Sequence, residues 1–528
     1  MELQKVLIAG EWRESKNPVN SFNAVNPSKK SNLEETYPVS GEEDINDLLE
    51  AGKSAAISLR EVKPDKLADF LEAFANKIEG RIEKLVEIAN LETALPKEPR
   101  LRNVEIPRTT AQLRKAAASA RELSWCNATI DTATNIRSKF GSIGGPVVVF
   151  GPNNFPYAFN SVSGGDFAAA IASGNPVIAK ANPGHPGTTK LLAQLAFEAL
   201  IETGLPKETI QLIYHVKPEL GLKLVSHPYI GASAFTGSKL SGVKLKEAAD
   251  KAGKPIYLEM SSVNPVFILP GALEERSNEI ADDLFGACSL GAGQFCTNPG
   301  LVILIKDDKA ESFIKLLEEK FASTPPGTLL TRSGSHNITN TINILSLAGA
   351  DIIVGGVKND DDKYSYPNTL LRVDGDLFLK YPRILQTEAF GTVSLIVTAN
   401  NIDQLKNITS VIEGNLTGSI YSDTQGSDDQ YYQIIEPELR TKVGRLLNDK
   451  MPTGVAVVSS MNHGGPYPAT GHPGFTAVGL PASMHRFAAL HCYDNVRQHR
   501  LPIELQNKNP TGKMWRIIDG EWTQKDIL

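Results

Sequence analysis

The chain has 528 residues, a formal net charge of −6 and 22% charged residues with no Lys/Arg block, which speaks against nucleic acid or an anionic membrane as a partner. Single cores stop growing at about 250–300 residues, so two or three domains are expected. No apolar run reaches the roughly 18 residues of a membrane span, and Met1-Glu2-Leu3-Gln4-Lys5 lacks the pattern of a signal peptide, so the expectation is a cytoplasmic protein acting on small molecules. Cys126, Cys288, Cys296 and Cys492 are scattered, without CxxC or paired histidine spacing. Free thiols and no metal are expected.

In chain order, residues 7–12 and 22–26 read as short strands. Leu67, Phe70, Leu71, Phe74, Ile78, Ile82 and Leu85 recur at three- and four-residue spacing, which predicts one long amphipathic helix, with a second at about 100–122. From Pro146 strand and helix alternate. Strands are expected at 146–150, 176–180, 209–215, 230–235 and 255–259, and helices at 164–173, 188–201, 217–226 and 238–252. Such alternation predicts a parallel sheet covered on both faces, with ligands beyond the carboxyl ends of its strands. A second α/β unit follows, with strands near 265–269, 300–306, 352–354, 393–399, 417–421 and 454–458. The segment 125–144 breaks the alternation and the tail after about 484 is strand-like, so the two are expected to join as an arm. The acidic run 359–363 reads as a solvated loop.

The residues suited to chemistry lie at these strand ends. Cys296 sits in Gly291-Ala-Gly-Gln-Phe-Cys-Thr-Asn-Pro-Gly300, whose small residues let a substrate reach the sulfur; it is the candidate nucleophile. Asn154, in Gly151-Pro-Asn-Asn-Phe-Pro156, can donate to an oxygen that becomes negative during reaction, or can be a turn residue. Glu259 ends an apolar strand, as a general base or as a cap of the next turn. Lys180 ends another, where a ribose or phosphate would sit. Phe235-Thr-Gly-Ser-Lys-Leu-Ser-Gly242 runs from strand through a tight turn into a helix start, which offers N–H groups to phosphate. Glu388 and Phe390 form a further strand-end pair. No GxSxG elbow occurs, so a serine hydrolase of the α/β type is not supported.

Six motifs in this order resemble the NAD(P)-dependent aldehyde dehydrogenases over nearly the whole chain. They are Asn154–Pro156, Lys180, Phe235–Gly242, Leu258-Glu259, Gly293–Cys296 and Glu388–Gly391. The resemblance implies an α/β fold in three parts: a Rossmann-type cofactor domain (1–124 and 145–262), an α/β catalytic domain (263–483) and a small β oligomerisation arm (125–144 and 484–528). It implies Cys296, Glu259 and Asn154 as catalytic residues, and Lys180, Phe235, Gly237, Ser238, Gly242, Glu388 and Phe390 as cofactor-binding residues. The implied partners are an aldehyde and a second copy of the chain, favouring a dimer over a tetramer. Glu259–Pro265, Pro452–Val455 and His463–Thr470 further resemble the 2,5-dioxovalerate (α-ketoglutarate semialdehyde) branch, to which NADP-linked fatty aldehyde dehydrogenases are similar. Pro183 stands where NAD-preferring members carry a glutamate that holds the ribose hydroxyls, which points to NADP, with NAD use left open. Asn153 replaces a common tryptophan. Residues 471–476 depart from the branch in a loop expected at the substrate entrance. A CoA-acylating enzyme and a non-catalytic descendant of the fold are the alternatives; Glu259 speaks against the first and the intact Cys296, Glu259 and Asn154 against the second.

Overall fold

The structure is a computed structural model that describes residues 2–358 and 361–528; Met1, and Asn359 and Asp360 of the acidic run, lie outside the described residues. The first sheet has seven strands in the spatial order Ile256–Glu259, Ala232–Thr236, Val147–Phe150, Val177–Lys180, Ile210–Ile213, Val6–Ile8 and Glu11–Arg13. The first five are parallel. Their strand order reverses at Val147–Phe150, which places a ligand crevice at the carboxyl ends of this strand and its neighbours. Val147, Val148 and Val149 are fully buried, as expected of a strand covered on both faces.

The predicted 66–85 helix is two helices. Pro64–Glu79 ends at Gly80, whose N–H closes on Asn76, and a new helix spans Ile82–Thr93. An unbroken apolar stripe hid the break because Ile82 and Leu85 continue the spacing on the far side of the glycine. The second helix begins as a wide turn over Lys97–Glu105 before Ile106–Glu122. The strand expected over 209–215 is interrupted at Tyr214, and His215–Val216 leaves to pair with Ser31–Ser40, which in turn pairs with Asn20–Asn26.

The second sheet also has seven strands, ordered Asp351–Val354, Thr369–Asp374, Val393–Ala399, Leu301–Ile305, Val266–Ile268, Asn415–Tyr421 and Val443–Asn448. All its pairings are parallel except that of Asp351–Val354. Thr369–Asp374 and Val443–Asn448 were not anticipated, and 454–458 is not a strand. Its valines have another use: Val455 and Val457 pack beside Phe155, Phe159 and Phe295 at the junction of the two sheets. A third sheet joins Thr129–Asp131 and Ile136–Ser142 to Ala488–Asp494, Arg516–Ile518 and Glu521–Thr523, so the two stray segments do meet. Among the described residues no helix is long and apolar enough to cross a membrane.

Candidate active site

Four strand ends of the first sheet and the cysteine loop of the second enclose a cavity of about 430 Å³, within the range of small-molecule sites. Cys296, Glu259, Asn154, Gly237, Ser238, Glu388 and Phe390 all line it. Lys180, Phe235 and Gly242 do not. The Phe235 ring lies beneath the turn instead: a Cβ built on Gly237 would stand 2.8 Å from it, and one on Gly242 2.9 Å from Met260 Sδ and 3.3 Å from Phe235. These glycines let the turn and helix Lys239–Lys251 settle onto the ring, with the Ser238 side chain capping the helix. Lys180 ends its strand partly exposed; burial brings its ammonium down to about 8, and no carboxylate pairs with it among the described residues. Asn182, two residues on, lines the cavity and donates to Gly151 O at 3.0 Å, joining two strand-end loops.

The cysteine loop is shaped by three consecutive left-handed residues, Gly291, Ala292 and Gly293 (φ 59°, 56° and 72°). Gly293 is irreplaceable on space as well as on φ, because its Cβ would lie 2.1 Å from the backbone of Gly391. The cysteine loop and the Glu388–Gly391 segment therefore touch backbone to backbone. Asn264 (φ 47°) fastens the far side, donating from Nδ2 to Cys296 O and Asn298 O at 2.9 Å each. Its own N–H is held by Asn415 Oδ1 at 3.0 Å. Asn154 Nδ2 donates to Gln294 O at 2.9 Å, and Arg100 holds the Asn154 carbonyl at 3.0 Å, so the amide stands beside the Cys296 loop.

One member of the constellation had no role in the sequence reading, although its His-Gly-Gly loop was singled out. His463 Nε2 lies 2.9 Å from Glu259 Oε1 and 3.5 Å from Cys296 Sγ. Gly464 and Gly465 make this approach possible: a Cβ on Gly465 would lie 2.3 Å from Asn415 O, and one on Gly444 1.9 Å from Gly464 O. The two glycines were the signal, since they mark a loop pressed against other backbone. The loop is then laced to the end of the Glu259 strand by Met260 N–H to Ala469 O at 2.8 Å. Residues 471–476 do not line the cavity. His472 Nε2 accepts Leu258 N–H at 2.7 Å on the outer side of that strand, and burial, with Arg486 adding to it, keeps its pKa down at about 4. The departure noted there is a strand-edge contact.

Electrostatics decide where the protons sit. Burial pushes the Cys296 thiol well above its ordinary value, and the negative Glu259 adds to the rise while Arg108 opposes it. Burial alone would raise Glu259 too, but the neighbouring His463 and hydrogen bonds from His463 and Cys296 outweigh it and hold the carboxyl below its ordinary value. The resting site is thus a thiol beside a carboxylate, and Glu259 Oε2 is buried without a hydrogen-bond partner, as a base awaiting a proton requires. Burial raises Glu388 to about 7 against the opposing Ser261 hydroxyl and Ser262 N–H. The expectation of no metal came from spacing along the chain; in space Glu259, Cys296 and His463 bring three potential ligand atoms within 4.8 Å of one another.

A thiol, a base and an amide donor meeting between a doubly wound nucleotide-type sheet and a second α/β unit define a thiol-dependent oxidoreductase of the kind that works with a dissociable nucleotide. The chain belongs to the aldehyde dehydrogenase family, whose model matches residues 12–436. It is 36% identical over 513 residues to the alpha-ketoglutaric semialdehyde dehydrogenase 2 of Azospirillum brasilense, spanning 95% of this chain and 96% of that protein. To the alpha-ketoglutaric semialdehyde dehydrogenase of Acinetobacter baylyi it is 35% identical over 493 residues, 91% of this chain and 92% of the other. Betaine aldehyde dehydrogenase of Staphylococcus aureus in complex with NAD+ shares the fold at a TM-score of 0.79 and 21% identity, over 93% of this chain and 94% of that one. The protein is therefore an NAD(P)-dependent oxidoreductase that converts an aldehyde to a carboxylic acid.

The proton arrangement is testable in the free chain. Alkylation of Cys296 by iodoacetamide should still be rising with pH at about 9, above the ordinary thiol range. In Glu259→Gln, which removes the charge that raises the thiol pKa, the rate–pH curve should move to lower pH. A curve that stays in place would contradict the coupling.

Proposed function

We propose that the substrate is 2,5-dioxopentanoate, oxidised to 2-oxoglutarate with NADP as the preferred acceptor and NAD also usable. The observation that carries the reading is that Cys296 and Glu259, with His463 against both, share one cavity with Asn154, Gly237, Ser238 and Glu388. The two relatives named for α-ketoglutaric semialdehyde support the choice of aldehyde.

A carboxylate-bearing aldehyde needs a cation near the thiol, and Arg108 supplies one. Its guanidinium lies 5.6 and 5.2 Å from the Phe155 and Phe159 rings, both cavity residues. Nε and Nη2, which form one edge of the fork, have no partner. The neighbouring carboxylate, Glu105, is taken by Arg100 and by the N–H groups of Tyr157 and Ala158. Held by no hydrogen bond, the fork can turn to two carboxylate oxygens at the cost of ring contacts alone. The apolar wall of Phe155 and Phe159, backed by Phe295 and Val457, favours a second reading, an NADP-linked fatty aldehyde dehydrogenase.

In the proposed reaction the Cys296 thiol loses its proton to the Glu259–His463 pair and the sulfur attacks the aldehyde carbon. Asn154 Nδ2 and the Cys296 N–H hold the resulting oxyanion. The bound nicotinamide cofactor supplies the hydride acceptor. Once the Glu259–His463 pair has passed the thiol proton to solvent through the cavity, Glu259 takes a proton from water through Oε2, the hydroxyl oxygen attacks the thioester, and the thiolate leaves. The residues present suit the cofactor: Ser238 and the start of helix Lys239–Lys251 present N–H groups to a pyrophosphate, Gly237, its own N–H donated to Glu259 O at 3.0 Å, keeps the turn open to it, Glu388 faces the cavity for ribose hydroxyls beside Phe390, and Phe235 and Gly242 support the turn from below. Lys180, uncountered by a carboxylate and followed by Pro183, is the charge for a 2′-phosphate.

The same reading gives residues 1–124 and 145–262 to the cofactor, 263–483 to the chemistry and 125–144 with 484–528 to subunit pairing in a cytoplasmic homo-oligomer, a dimer rather than a tetramer. Ala488–Asp494 supports the pairing, as an edge strand with Leu490 exposed.

Three measurements test these assignments. Cys296→Ala should abolish aldehyde oxidation while cofactor binding, followed by fluorescence, stays largely intact; substantial turnover would remove Cys296 as nucleophile. Arg108→Leu should lower kcat/KM for 2,5-dioxopentanoate about 10- to 100-fold, equivalent to one hydrogen bond to a charged group of about 1.5–3 kcal/mol, and leave pentanal nearly unchanged. Equal loss on both would overturn the role of Arg108, and a wild-type preference for long-chain aldehydes would favour the second reading. Lys180→Ala should raise KM for NADP more than KM for NAD; parallel changes would argue against a 2′-phosphate contact.

A further inference from the structure

We propose that Glu259, Cys296 and His463 together form a binding site for zinc whose occupation switches the enzyme off. The three ligand atoms lie within 4.8 Å of one another, and no other such group of three is found among the described residues. Their types, thiolate, imidazole and carboxylate, are those zinc takes. Tetrahedral bonds of about 2.3 Å to sulfur and about 2.0 Å to nitrogen set those two ligands roughly 3.5 Å apart, and His463 Nε2 stands 3.5 Å from Cys296 Sγ. The Nε2 to Glu259 Oε1 separation of 2.9 Å needs to open by a few tenths of an ångström, and Glu259 Oε2 is an alternative ligand with no partner to give up. Cys296 and Glu259 open onto the cavity, which leaves a fourth position for water. The main chain that carries the imidazole is already fixed: the His463 N–H donates to Thr476 Oγ1 at 2.9 Å, and its carbonyl accepts Ala477 N–H at 2.8 Å.

Binding displaces the thiol proton of Cys296 to solvent and requires the imidazole proton to reside on Nδ1, so affinity rises with pH. A sulfur bonded to zinc cannot attack an aldehyde, and a bound Glu259 cannot take a proton from water. The effect on turnover rests on the reading of Cys296 as nucleophile; the binding does not. The other three cysteines offer no equivalent, since Cys126 and Cys288 are buried and Cys492 is exposed, without a converging ligand pair.

The test uses the full chain and chelator-buffered Zn2+. Calorimetry should give one zinc per chain, aldehyde oxidation should fall in proportion to occupancy, and EDTA should restore it. Zinc should also protect Cys296 from iodoacetamide. Cys296→Ser and His463→Gln, each checked for folding by circular dichroism, should weaken binding at least a hundredfold, whereas Cys492→Ser should change neither binding nor turnover. Co2+ should give a thiolate-to-cobalt charge-transfer band that Cys296→Ser abolishes, a conservative variant that keeps the test open if His463→Gln fails to fold. No binding, or binding that both site variants leave intact, overturns the proposal, as does stoichiometric binding with undiminished turnover. A chain that binds zinc as described yet oxidises no aldehyde would uphold the site and remove the catalytic reading.

Discussion

The site depends on one buried carboxylate kept charged. Glu259 is almost fully enclosed, and a carboxylate there would ordinarily take up a proton and cease to be a base. His463 prevents this from 2.9 Å away, and the two together fix where the Cys296 proton is held and where it can go. The imidazole is the largest of the influences that oppose burial at this carboxyl, ahead of Cys296 and Arg486.

None of these three groups belongs to the same stretch of fold. Glu259 ends a strand of the first sheet, Cys296 sits on a loop entering the second, and His463 comes from the irregular chain after the last strand of the second sheet. Their meeting is therefore a consequence of how the two sheets are joined. The joint is polar on one side, where Asn264 and Asn415 tie the segment after Glu259 to the cysteine loop. On the other it is apolar, where Phe155, Phe159 and Phe295 pack with Val478. The shared hydrogen bonds of Asn264 and Asn415 hold the two segments in one geometry, and the ring packing closes the other side.

Much of this was legible along the chain because strand ends and small-residue loops are local signals. Cys296, Asn154, Glu259 and Glu388 each announced themselves by position, and the alternation from Pro146 onward gave the doubly wound sheet. What stayed hidden depended on distant partners. The valines of 454–458 carry a strand's composition, yet the place beside Asn415–Tyr421 is filled by Val443–Asn448, and Val455 and Val457 pack instead behind Phe155, Phe159 and Phe295. Arg108 reads as one more charge on an amphipathic helix; only the prior commitment of Glu105 to Arg100 leaves it unpaired. His463 was visible as an unusual loop, but nothing in its neighbours along the chain says that Glu259, 204 residues away, is its partner.

The backbone contact between Gly293 and Gly391 has a mechanical consequence. With no side chain between them, the strip bearing Cys296 and the strip bearing Glu388 are geared together, so a shift in one carries the other along. Seating a nucleotide against one would thereby index the sulfur on the other, and drift in either would be felt in both halves of the catalytic cycle.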